Sequence, residues 1–224
     1  MQSAFVFFIV LSLCIILVAQ TPEGPGFIDG TVLDEIGRSV KDAQVQAMLF
    51  DGEKMVTGFS THTDDNGSFR YDRLQLGHYG LYAGKLEAGY RDTNDPCAGT
   101  RLVPVKLTSD EPSGRAMLRF APKAGILTGW VTNAKTGERL NAILRISMPH
   151  CYETNGVSSR YKFHVLIPAD TRVTLEVTAK GYKPWLYADP SYPSRLLRFE
   201  LHSGSELELN IQLESDTTAN EQKQ

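Results

Sequence analysis

The densest run of reactive side chains in this 224-residue sequence is His150-Cys151-Tyr152-Glu153. An H-x-x-E spacing offers two ligands of a metallocarboxypeptidase-like zinc site. A catalytic zinc also needs a third protein ligand, a general base and a substrate pocket. No CxxC motif and no Cys/His cluster at metal-ligand spacing is present, so the run reads as a polar loop between strands. His62 and Asp64, beside Asp65-Asn66-Gly67, resemble the start of a calcium loop. An EF-type loop wants an acid at its first position and Glu at its twelfth, and those places hold His62 and Arg73. No G-x-S-x-G elbow, P-loop or dinucleotide fingerprint appears. The sequence therefore assigns no catalytic residue, no metal ligand and no cofactor.

Binding chemistry is better represented. Residues 181–194, GYKPWLYADPSYPS, gather Tyr182, Trp185, Tyr187 and Tyr192 among three prolines. Flat rings with polar edges can stack on sugar faces when a stiff loop holds them out. The other role for such a segment is to plug the end of a core, and for Trp130, on a strand, a core position is expected. Asn66-Gly67-Ser68 is a glycosylation sequon on an exposed turn.

The elements that must position these residues begin after an unusual start. Ala4 to Val18 is apolar apart from Ser12, too short to span a bilayer and suited to the core of a signal peptide over residues 1–19, cut after Ala19. The segment contains no Lys or Arg before the run, so an uncleaved anchor is the other reading; both export the chain. Cys14 lies inside the run after Leu13, which argues against lipidation. Export leaves Cys97 and Cys151 in a disulfide-permissive compartment. Either they form one bridge between the two halves or they are unrelated thiols. A net charge of −3, with 42% hydrophobic and 22% charged residues, describes a folded protein without the basic stripe nucleic acid demands.

From Gly26 onward, short alternating stretches rich in β-branched and aromatic residues are punctuated by Gly, Pro, Asn and Asp. They predict strands at Phe27 to Leu33, Val45 to Phe50, Ser68 to Leu74, Arg101 to Leu107, Ala116 to Phe120, Ile126 to Val131, Ala142 to Ile146, Tyr161 to Ile167 and Val173 to Ala179. Asp65-Asn66-Gly67 predicts a hairpin joining two antiparallel strands, Ser60 to Thr63 and Ser68 to Tyr71. The pattern also repeats. GTVLDEIGRSVKDAQVQA (Gly30 to Ala47) has its counterpart in GWVTNAKTGERLNAILRI (Gly129 to Ile146). Each half continues with an aromatic strand, Phe69 and Tyr71 or Tyr161 and Phe163, and ends on Gly89-Tyr90 or Gly181-Tyr182.

Residues 26 to 121, with the opening G-x-V-x-D-x-x-G-x-x-V-x-x-A-x-V, the T-D-x-N-G-x-F turn and the closing Gly-Tyr, resemble the carboxypeptidase regulatory-like domain. That resemblance implies a seven-stranded, transthyretin-like sandwich with Val45, Phe69 and Tyr71 in its core. The second half resembles a diverged copy, with Cys151, Asn155 and Gly156 where the Asp-Asn-Gly turn would be. The expected architecture is all-β, two tandem seven-stranded Greek-key β-sandwiches over residues 24–122 and 123–214, with a disordered tail at 215–224. The expected function is that of an exported, non-catalytic binding or structural protein whose partner is an envelope or extracellular protein, or a polysaccharide. A carbohydrate-binding module using Tyr182 to Tyr192 and a small hydrolase using His150 are the alternatives.

Overall fold

The computed structural model describes residues 24–189 and 192–216. The expected signal peptide, and the tail from residue 217, lie outside the described residues. Among the described residues no helix is long and apolar enough to cross a membrane.

Among the described residues the alternating sequence becomes sixteen strands. The first seven are β1 (Gly26–Leu33), β2 (Gln44–Asp51), β3 (Lys54–His62), β4 (Ser68–Leu74), β5 (Gly77–Gly84), β6 (Val103–Leu107) and β7 (Ser113–Arg119). They form a three-stranded sheet, β4-β1-β7, facing a four-stranded one, β3-β2-β5-β6. The remainder are β8 (Gly125–Asn133), β9 (Ala142–Ser147), β10 (Tyr152–Val157), β11 (Phe163–Ile167), β12 (Thr174–Thr178), β13 (Trp185–Leu186), β14 (Ala188–Asp189), β15 (Tyr192–Leu196) and β16 (Glu206–Leu213). They repeat the order as β11-β8-β16 facing β10-β9-β12-β13, with β14-β15 as an inserted hairpin. The chain is thus all-β and built from two seven-stranded sandwiches.

Period-two alternation explains why each sheet pair closes over a core. β1 reads buried and half-buried in strict turn, sending Ile28 and Val32 inward to meet Val45, Leu81 and Leu118 in one cluster. Leu127, Leu144, Ile146, Leu175 and Ile211 fill the second. Each core contains the same device, a phenylalanine opposite a strand glycine: Phe69 faces Gly30 and Phe163 faces Gly129. A Cβ at Gly30 would overlap the Phe69 ring, and one at Gly129 would run into the Leu209 carbonyl beside Phe163. The repeat is therefore offset by two residues from the expected aromatic pairing. Phe163 is the counterpart of Phe69, whereas Tyr161 is 71% exposed.

Two other expectations are corrected. Asp65-Asn66-Gly67 does form a tight turn, with Asp64 Oδ1 accepting from the amides of Asn66 and Ser68, both at 2.8 Å. The turn nevertheless joins different sheets, because β3 pairs with β2 and β4 pairs with β1. It is an arch, not the hairpin of a single sheet. Trp130 stands on the outer side of β8, opposite in sense to core residues Leu127 and Val131. The Arg139 guanidinium covers its ring at 3.6 Å, a stacking arrangement available to a planar cation.

Candidate inter-sandwich site

The Gly-Tyr pairs that end the repeat do a shared job. Gly89 and Gly181 both adopt the left-handed conformation, φ 83° and 82°, which costs a glycine nothing sterically. In each, the carbonyl turned by that conformation holds the chain leaving the sandwich: Gly89 O accepts from Ala124 N at 2.8 Å, and Gly181 O from Asp216 N at 2.9 Å. Ser215 bridges Tyr182, so the first two residues of the expected tail are tied down. At the first junction, Phe120 stacks on Tyr90 with ring centroids 4.7 Å apart.

Beyond Tyr90 the loop that leads back to β6 touches the second sandwich. Arg91 lies at the centre of this contact. Its Nε donates to Asp95 Oδ2, its Nη2 to Glu153 Oε1 on β10, and its Nη1 to the Leu166 carbonyl on β11. β10 and β11 are edge strands of opposing sheets, so one guanidinium fastens the open side of the second sandwich to the first. Burial alone would lower the Arg91 pKa; the hydrogen bonds to Asp95 and Glu153 outweigh it and raise the pKa instead. Asp95 also caps the short 3-10 turn Pro96–Ala98, accepting from Cys97 N at 2.9 Å. That turn presents Cys97, which is disulfide-bonded to Cys151 just before β10, with Cα atoms 5.6 Å apart.

A cleft of about 410 Å³ opens beside this clamp, lined by Leu86, Asp92, Asn94, Asn155 and His164 along with Arg91 and its partners. Asn155 Nδ2 is buried there with no hydrogen-bond partner among the described residues. Ligand atoms of Asp95, Cys97 and Glu153 lie within 4.8 Å of one another, the spacing of a metal site. The Cys97 sulfur is already bonded to Cys151, and both carboxylates already hold the Arg91 cation. Those groups are committed to the junction. The H-x-x-E pair is divided likewise, with His150 exposed in the loop and Glu153 engaged by Arg91.

The aromatic segment is brought together only in part. Trp185 and Tyr187 pack against the second core with ring centroids 6.2 Å apart, and Tyr187 meets Phe199 edge-on at 5.2 Å. Tyr182 also packs there, its hydroxyl accepting from Asn133 Nδ2 at 3.0 Å. Tyr192 lies on β15, paired with Asp189. Sequence reasoning missed Arg91, whose partner Glu153 lies 62 positions away. The signal available to it was an Arg directly after the Gly89-Tyr90 landmark and near a Cys.

No family model matches the chain, and no curated protein matches it. Among solved structures the chain is similar to a Streptococcal ancillary pilin, at 13% identity and a TM-score of 0.42, over 86% of this chain and 62% of that one. It is also similar to the Bacillus anthracis TIE protein, at 16% identity and a TM-score of 0.35, over 85% of this chain and 34% of that one. A third is the minor pilin GBS52 of Streptococcus agalactiae, at 9% identity and a TM-score of 0.38, over 85% and 96%. The chain thus spans less than two thirds of the first two.

Proposed function

We propose that this chain is an exported, non-catalytic structural or binding protein in which two carboxypeptidase regulatory-like sandwiches act as a single stiff unit. That unit would serve as a spacer or docking surface for another envelope or extracellular component. The strand order β4-β1-β7 over β3-β2-β5-β6, repeated in the second half, supports reading the halves as two copies of one module. The observation that carries the reading is the junction itself, where Arg91 and the Cys97–Cys151 bridge both join the first sandwich to the edge of the second. Inter-domain contacts ordinarily leave domains free to move. A covalent bond, a half-buried ion pair and a hydrogen-bonded linker at one junction oppose that freedom. The side chains best suited to chemistry, Cys151 and Glu153, are the ones used to build it.

Small-angle scattering of the oxidised chain tests this. A stiff unit gives one narrow distribution of interatomic distances, which broadens when Cys97→Ser and Arg91→Ala are combined. A broad distribution for the unaltered oxidised chain would sink the reading.

A further inference from the structure

The outer face of sheet β3-β2-β5-β6 holds a second cleft, of about 450 Å³, that takes no part in the clamp. Its floor comes from two adjacent rows of the sheet. Gln44 lies between His62 and Gly84, and Gln46 between Ser60 and Tyr82; period two places all of them on one face. Gln44 Nε2 and Gln46 Nε2 both donate to Ser60 Oγ, at 3.3 and 3.1 Å. This fixes the two amides and leaves their carbonyl oxygens without a donor among the described residues. Beside them Gly84 has no side chain, and the Asp92 carboxylate fills the space above it.

The rim is the loop after β5, where Leu86 is 58% exposed, followed by Glu87 and Asp92, with Asp42 at the other end. The Asp92 carboxylate is laid over Gly84, where any Cβ would displace it. Among the described residues it accepts no hydrogen bond. Burial first, and then the neighbouring Asp95, raise its pKa.

We propose that this cleft binds a neutral saccharide chain. Sugar hydroxyls donate and accept together, and the floor offers both amide oxygens and the His62 ring nitrogens, while the rim carboxylates accept. The Tyr82 ring and the Leu86 side chain provide apolar surface for the C–H faces of a sugar ring. Asp42, Glu87 and Asp92 repel uronates and phosphates. They do not converge on one ion, since among the described residues only Asp95, Cys97 and Glu153 come within 4.8 Å.

Affinity electrophoresis of the full oxidised chain through gels containing β-glucan, α-glucan, xylan or mannan tests the assignment, with polygalacturonate as the anionic control. Retardation by at least one neutral polymer is expected, weakened about tenfold by Gln46→Ala and by Tyr82→Ala. Gln44→Ala, an exposed change on the same floor, guards against misfolding of the tyrosine variant, and circular dichroism checks each protein. Trp185→Ala leaves retardation unchanged if the sugar lies here rather than at the second core. The proposal is overturned by no retardation in any neutral gel, by retardation indifferent to both glutamines, or by polygalacturonate retarding the chain as strongly as the neutral polymers do. None of these outcomes bears on the stiffness of the pair, because the cleft lies wholly on the first sandwich.

Discussion

Arg91 is half-buried among two carboxylates and a carbonyl, so its removal strands charge as well as breaking contacts. Losing one partner of a fully buried pair costs about 3 kcal/mol or more; for this half-buried clamp Arg91→Ala should lower stability by about 2 kcal/mol in urea unfolding, with Arg91→Lys recovering only part. A shift under about 0.5 kcal/mol, typical of exposed pairs, would mean that solvent reaches the clamp. Tyr79 predicts an alkaline effect. Burial pushes its phenol up to about 12, from an ordinary value of 10.0. Below that ordinary value both folded and unfolded chains keep the proton, and stability is intact. Between the two values only the unfolded chain ionises, so stability falls as pH rises through this window. Tyr79→Phe removes a hydrogen bond to the Gln75 carbonyl, costing about 1 kcal/mol at neutral pH, and should flatten the decline in urea midpoints across the window from 10.0 to about 12. At this scale the sequence supplied the pair Cys97 and Cys151 but not their bond. Bridging depends on a Cα separation that only the folded junction creates.

Strands were the legible elements, because period two is a local property. Ser68–Leu74 forms as expected, and most of the others differ by a residue or two at their ends. Glu206–Leu213, ELELNIQL, carries an equally clear alternation and becomes β16. Which sheet a strand joins was not legible. The Asp-Asn-Gly turn is compatible with hairpin or arch, and pairing of β4 with β1, some forty residues earlier, decides between them. The aromatic segment was ambiguous for a related reason: exposure of Trp185 depends on whether Tyr187, itself packed on Phe199, turns beside it, as it does. Trp185→Ala should therefore destabilise the second sandwich by about 2 kcal/mol, below the full cost of deleting a core tryptophan because the ring is only half-buried. Thermal unfolding followed by far-ultraviolet circular dichroism reads this; an unchanged midpoint would return the tryptophan to the surface. Gly129→Ala is the harsher change. It drives a methyl into the Leu209 carbonyl and should unpair β16 from β8, seen as rapid amide exchange along β16, while β1 to β7 stay protected.

At the scale of the molecule, two cores share one junction. The bridge closes a sequence separation of 54, for which loop-closure entropy gives about 4 kcal/mol of stabilisation. Cys97→Ser or a strong reductant should lower the thermal midpoint and split a single calorimetric transition into two, one per core. A lone transition at the original temperature would show that the bridge couples nothing. The tandem architecture was legible as a repeat of landmarks, yet the junction was not, because its contacts lie in the segment between landmarks where the two halves differ. The first and last strands of each sandwich, β1 with β7 and β8 with β16, lie side by side and run parallel. While the sulfur bridge holds, a pull along the chain passes from Cys97 straight to Cys151, and roughly 190 Å of extended chain, β7 and β8 included, bears none of it. Once that bond is cut, tension entering at the start of β1 and leaving past β7 slides one strand along the other instead of peeling them apart, and every bond of the ladder resists at once.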